Sequence, residues 1–194
     1  VATSGPGATN MITGACCSYY DSVPVLLITG QVSTFRMRGN LGVRQIGFQE
    51  TATLEMYRPV TKYAVQVTDP KRIRYELEKA CHLARSGRPG PVLVDLPDNL
   101  QRAEIDPETL EGFVPDTAPV PRATESELDR CVEMIRAAKR PILVLGWGIY
   151  LSRAEDEARE LAHRLGIPVA PTWAAADVLT GDDPLFVGTF GTHG

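Results

Sequence analysis

Two glycine turns carry the residue types most able to do chemistry. In SGPGATN, residues 4–10, Gly5 and Gly7 flank Pro6, and Asn10 follows at the start of a small-residue helix. Glycines let a backbone come close to a ligand, and the free N–H groups of a helix start suit an anion. A dinucleotide fingerprint would need a third glycine where Asn10 stands. On these residues alone, a tight turn holding nothing is as good a reading. LGWGIYLS, residues 145–152, repeats the pattern with Gly146 and Gly148 but has Leu151 in the third place. It reads equally as a nucleotide-type turn used only structurally.

Two further stretches carry polar side chains between rigid neighbours. SGRPGPV, residues 86–92, ends a helix and enters a strand, and Gly87, Pro89, Gly90 and Pro91 suit that alone. Arg88 is its odd member, a guanidinium able to clamp a phosphate or to sit solvated. In GFQET, residues 47–51, the Gln49 amide can cap a helix or hydrogen-bond a heterocycle, and Phe48 beside it reads first as core. No nucleophile and base pair is visible. Ser4 has no nearby histidine and lies in no G-x-S-x-G elbow. His82, His163 and His193, with Cys16, Cys17, Cys81 and Cys131, show no metal-ligand spacing, so no protein-built metal site is expected.

The elements that must hold these residues alternate between β and α. Val/Ile/Leu runs at 24–29, 61–67, 91–97, 141–146 and 167–171 read as buried strands, and residues 1–3 read as the tail of another. Helical spacing is expected over 8–20, near 49–56, over 69–87, 125–138 and 152–166. Asp69 and Pro70 suit the start of the third of these and Gly87 its stop. Ala154, Ala158, Leu161 and Leu165 are expected to face inward on the last. This alternation predicts an α/β fold: parallel sheets flanked by helices, in two incomplete doubly wound domains. The proline-punctuated, acidic stretch 101–123 reads as a linker between residues 1–100 and 124–194.

Bulk properties exclude several functions. The 194 residues are 43% hydrophobic, enough for a sizeable core, and carry a formal net charge of −4 with no basic block. Binding to nucleic acid or to an anionic membrane is not expected. No apolar run is long enough to span a bilayer. The four cysteines fit no disulfide framework, are expected to be buried packing residues, and suit a reducing, cytoplasmic compartment.

Taken in order, TSGPGATN, DSVPVLLITGQV, FQE and SGRPGPVLVDLP resemble the thiamine-diphosphate-dependent enzymes of the acetolactate synthase type. The resemblance implies the latter part of an N-terminal pyrimidine-binding domain, a linker, and the first part of a central domain. By motif, Pro6, Asn10 and Gln49 would contact the thiamine pyrimidine, Gly30 and Gln31 would sit nearby, and Phe48 would line the substrate channel. Arg88, Gly146, Gly148, His193 and Gly194 would frame FAD in members that hold it. The family's catalytic glutamate is expected upstream of this chain and its Mg²⁺ ligands in a third domain, so no catalytic or metal residue is assigned here.

The implied activity is decarboxylation of a 2-oxo acid, with pyruvate the first expectation, and transfer of the carbanion to an acceptor carbonyl. A homodimer or homotetramer is implied for the complete enzyme, and the 194 residues alone are expected to be inactive. Two departures bear on the acceptor and on flavin: PTWAAADVL replaces a threonine run, and the loop 31–50 is several residues longer than the family's. Another thiamine diphosphate oxidase, decarboxylase or carboligase is the alternative, as is an inactive nucleotide-binding module for the isolated chain.

Overall fold

Apolar runs fix the layout of the computed structural model, which describes residues 1–116 and 122–191. The chain forms two compact units, Val1–Ala118 and Pro119–Gly194. The first unit runs α1 (Pro6–Asn10), α2 (Ile12–Tyr20), β1 (Leu26–Gln31), α3 (Thr53–Tyr57), β2 (Tyr63–Gln66), α4 (Ile73–Arg85), β3 (Val92–Pro97) and α5 (Asp98–Gln101). The second runs α6 (Glu125–Ala137), β4 (Leu143–Leu145), α7 (Gly148–Ser152), α8 (Glu155–Leu165) and β5 (Val169–Pro171).

Strand β3 lies between β1 and β2, and both pairings are parallel, with Leu26 and Tyr63 each opposite Val92. Residues 1–3 do extend the sheet: Ala2 bridges Thr29 beyond β1, with Ala2 N–H donating to Ile28 and Gly30 N–H to Ala2, both at 2.9 Å. Side chains alternate along β3, so Val92 and Val94 meet Ala80 and Ala84 of α4, while Leu93 meets Ala15, Leu27 and Tyr57 on the other face. A strand buried on both faces explains the unbroken apolar run. Burying Leu93 fully is worth about 2 kcal/mol.

Several boundaries differ from the sequence reading for physical reasons. The 8–20 helix is two helices that meet at Met11. The helix expected near 49 starts at Thr53, because Gln49 has a φ of 64°, which no right-handed helix allows. Asp69 does cap its segment, accepting from Lys71 N–H at 2.9 Å, although one 3₁₀ turn precedes α4. Within 101–123, residues 107–113 are fastened to α4. Phe113 packs edge-on to Tyr75, and its N–H donates to Glu78 at 2.7 Å.

The second unit pairs β4 with β5 in parallel over a core of Leu145, Ala162, Val169 and Val178. Thr124 and Glu127 close a reciprocal capping box at the start of α6. On α8, Ala158 and Ala162 face the core, whereas Leu161 is exposed, correcting the inward stripe. None of the four cysteines is buried: Cys17 and Cys131 are exposed, Cys16 and Cys81 half-buried. Helix α2 presents Cys17 away from Ala15, its buried residue, and Cys131 lies on a helix whose apolar Leu128 and Val132 are themselves exposed. Among the described residues no helix is long and apolar enough to cross a membrane.

Candidate functional site

The turn at Gly5 and the segment at Gln49, 44 residues apart, meet in the fold. Gly5 has a φ of 61°, and a Cβ there would stand 2.7 Å from Gln49 Cβ and 2.9 Å from Gln49 O. Glycine is therefore required twice, by conformation and by space. A second tie lies one turn further on. Tyr57 of α3 is fully buried and its hydroxyl donates to Ala8 O of α1 at 2.6 Å. Burial, with the nearby Cys16 adding to it, pushes that phenol's pKa up, so it stays a donor. These two contacts hold the helix bearing Pro6 and Asn10 against the segment bearing Gln49.

Both candidate amides are free to act. Asn10 is exposed and Gln49 half-buried, and among the described residues neither side-chain amide has a hydrogen-bond partner. The left-handed φ of Gln49, uncommon for a side-chain-bearing residue, is the strain that functional segments often hold.

A cleft of about 610 Å³ opens at the C-terminal ends of β1 and β3, beside residues 1–4. Open α/β sheets place their ligands outside the carboxyl ends of their strands. Gly30, Gln31 and Phe48 line this cleft. Phe48 is 83% exposed, so it is no core residue and stands at the cleft rim. Gln31 is a wall and a tie. Its Nε2 donates to Thr51 O at 2.9 Å and Asp95 Oδ2 at 3.3 Å, and its Oε1 accepts from Val32 N–H at 3.0 Å. That leaves the amide no free donor for a ligand.

Asp95 escaped the sequence reading. It is fully buried at the centre of the sheet and also accepts from Thr29 Oγ1 at 2.6 Å and Gln66 Nε2 at 2.8 Å. Desolvation raises its pKa, and the three donors only partly offset that. The signal was there: one acid in the apolar run VLVDLP must be hydrogen-bonded or neutral. Glu50 was missed too. Its carboxylate accepts the N–H groups of Arg38 at 2.7 Å and Ile46 at 2.8 Å, cinching the long loop.

The other candidates stand elsewhere. Arg88 is at the N-terminal end of β3, the end of the sheet opposite the cleft. Its Nε donates to Ser22 Oγ at 2.7 Å and its Nη2 to Tyr20 O at 3.3 Å. Gly146 and Gly148 belong to the second unit, where, among the described residues, a Cβ on Gly148 would meet nothing within 4 Å and one on Gly146 only Thr172, at 3.9 Å. Packing among the described residues does not demand these glycines. His193 and Gly194 lie outside the described residues.

Comparison with known proteins gives this geometry a family. Residues 1–56 match the N-terminal TPP binding domain of thiamine pyrophosphate enzymes, and residues 128–194 match the central domain of the same enzymes. The chain belongs to the thiamine pyrophosphate enzymes. Within them it is similar to acetolactate synthases along its whole length. It is 40% identical to the large subunit of Corynebacterium glutamicum over 197 residues, which is all of this chain and 30% of that protein. It is 37% identical to the probable large subunit of Methanocaldococcus jannaschii, covering 32% of it, and 38% identical to the acetolactate synthase of Arthrospira platensis, covering 34%. The chain thus spans about a third of the length of these relatives.

Proposed function

We propose that the complete protein decarboxylates a 2-oxo acid, with pyruvate the leading substrate, and joins the resulting carbon unit to an acceptor carbonyl as acetolactate synthases do. The observation that carries this reading is the junction of the Gly5–Gly7 turn with Gln49, two free amides beside a close-approaching backbone. That arrangement suits a flat heterocycle with donors and acceptors on its edge. Thiamine diphosphate, when bound, supplies the electron sink that decarboxylation needs.

In this reading Pro6 and the turn backbone face the aminopyrimidine, and Asn10 and Gln49 hydrogen-bond its edge. Gly30 and Gln31 form the adjoining wall, and Phe48 excludes water from the cleft. Mg²⁺ would arrive with the diphosphate, and no residue of this chain is assigned to it. For FAD, Arg88 is the candidate on the first unit, since its two contacts leave guanidinium donors to spare. Gly146 and Gly148, with His193 and Gly194 by motif, are the candidates on the second. A homodimer or homotetramer and a reducing, cytoplasmic compartment complete the reading, the latter supported by four free thiols.

The test is thiamine diphosphate binding and product analysis on the complete encoded protein. Gln49→Ala is expected to raise the cofactor's Kd about tenfold, the loss of one buried hydrogen bond. With pyruvate supplied, an acetolactate product is expected; hydrogen peroxide or a free aldehyde instead would make the enzyme an oxidase or a simple decarboxylase. An unchanged Kd in the Gln49 variant would remove the pyrimidine assignment.

A further inference from the structure

We propose that Arg36 is the carboxylate-recognising residue of the cleft and selects anionic 2-oxo acids over uncharged carbonyl compounds. This rests on the reading of the cleft as a substrate channel. Only two ionisable side chains line the cleft among the described residues, Arg36 and Asp98. The Asp98 charge is already engaged, with Arg102 Nη2 donating at 2.8 Å and Ser33 Oγ at 3.3 Å. Arg36 has no acidic partner among the described residues. Its guanidinium carbon lies 5.7 Å from the centroid of the Phe35 ring, a weak contact that leaves its N–H donors unspent. The cleft therefore presents one unneutralised positive side chain.

The turn that carries Arg36 is anchored without using the guanidinium. Thr34 N–H donates to Asn99 Oδ1 at 2.9 Å, and Asn99 Nδ2 donates back to Thr34 Oγ1 at 3.0 Å. Arg36 N–H then closes the turn on Ser33 O at 2.8 Å. The pinned backbone fixes where the guanidinium is presented, and its planar fork matches a planar carboxylate. The rest of the loop supports the sign of the field. Arg38 and Arg44 follow on the same segment, and its single acid, Glu50, faces Arg38, so residues 34–50 still carry more positive than negative charge. Positive charge around a cleft concentrates anionic substrates at its mouth.

The complete encoded protein would be tested with two probes of matched shape, pyruvate and the uncharged pyruvamide. Binding of each is measured by calorimetry in the wild type, Arg36→Gln and Arg36→Lys, at low and high salt. Arg36→Gln is expected to weaken pyruvate about 10- to 100-fold while leaving pyruvamide unchanged, since hydrogen bonds to charged groups are worth that much. Arg36→Lys should recover part of the loss, and added salt should weaken pyruvate only where the cation remains.

Equal losses for both probes, an unchanged pyruvate affinity, or no measurable pyruvate binding to the wild type would each overturn the assignment. Thiamine diphosphate binding measured on the same samples separates the two readings. A protein that discriminates pyruvate through Arg36 but binds no thiamine diphosphate keeps this inference and loses the proposed function. One that binds the cofactor but is indifferent to Arg36 does the reverse.

Discussion

Gly5→Ala is the sharpest test of how the site is assembled. Gly5 holds φ 61° and ψ −119°, a region that L side chains avoid at a cost of about 1–3 kcal/mol. The new methyl would also stand 2.7 Å from Gln49 Cβ and 2.9 Å from its carbonyl oxygen, where carbon atoms normally keep about 3.5–4 Å. The atoms it meets are Cβ and backbone, so no flexible side chain can swing away. Moving the Gln49 segment adds about 1–3 kcal/mol, the usual cost of overpacking. Gly87→Ala is the control: φ there is +56°, nothing among the described residues lies within 4 Å of the added Cβ, and only about 1–2 kcal/mol of conformational cost is expected. The two substitutions should differ by about 1–3 kcal/mol, the overpacking cost that only Gly5→Ala carries. Thermal unfolding of the complete protein reads that gap, and thiamine diphosphate titration reads the consequence, since only Gly5→Ala displaces Gln49. Equal destabilisation, with cofactor affinity unchanged in both, would refute the claim that the turn and Gln49 form one site.

Two further predictions concern acids inside the first unit, and their pH dependences have opposite signs. The folded-state pKa of Asp95 is raised by desolvation above its ordinary 3.8, so its contribution falls as pH rises from that value through the folded one. Asp95→Asn can keep every bond if Nδ2 donates to Thr29 and Oδ1 accepts from both glutamines. The variant should therefore lose this pH slope in unfolding measured from pH 4 to 8, whereas Asp95→Leu, which orphans three donors, should cost at least 3 kcal/mol. A curve for Asp95→Asn parallel to wild type would refute the argument. Glu50 behaves the other way. Desolvation raises its pKa, but N–H groups of Ile46, Arg38 and Gly47 and the Arg38 charge outweigh it and hold the value below 4.5. Its stabilisation is present above pH 4.5 and is lost as pH falls through the folded value. Glu50→Gln should cost about 1.5–3 kcal/mol and speed hydrogen exchange at Arg38 and Ile46; unchanged exchange at those amides would count against the cinch.

How much of this could be read in advance depended on the distance between partners. The strands and α4 follow from apolar runs and spacing, because each is written in contiguous residues. The Gly5 turn was visible as a turn, but not the reason for its glycine. A nearby ligand and a nearby chain segment both ask for a missing Cβ, and only the fold shows Gln49 filling that role. Asp95 and Gln31 are 64 residues apart, and nothing local in GQV marks its glutamine as a structural tie rather than a ligand contact. Arg36 was passed over for the opposite reason. A loop arginine is ordinarily solvated, and its significance comes from the Asn99 clamp and the engagement of Asp98, neither of which is local.

The Gly5 to Gln49 contact makes the protein itself one occupant of the space the turn leaves open, so the glycine motif alone says little about a ligand. What does point to one is the pair of amides left over after the fold has satisfied itself. Tyr57, Gln31, Asp95 and Glu50 all find their partners inside the first unit, whereas the side chains of Asn10, Gln49 and Arg36 have no hydrogen-bond or ion-pair partner among the described residues. Polar groups that a folded chain leaves unpaired, two beside a turn and one in an adjoining cleft, are the groups a substrate and cofactor can use. Losses of binding should therefore concentrate at those three positions, while losses of stability concentrate at the other four.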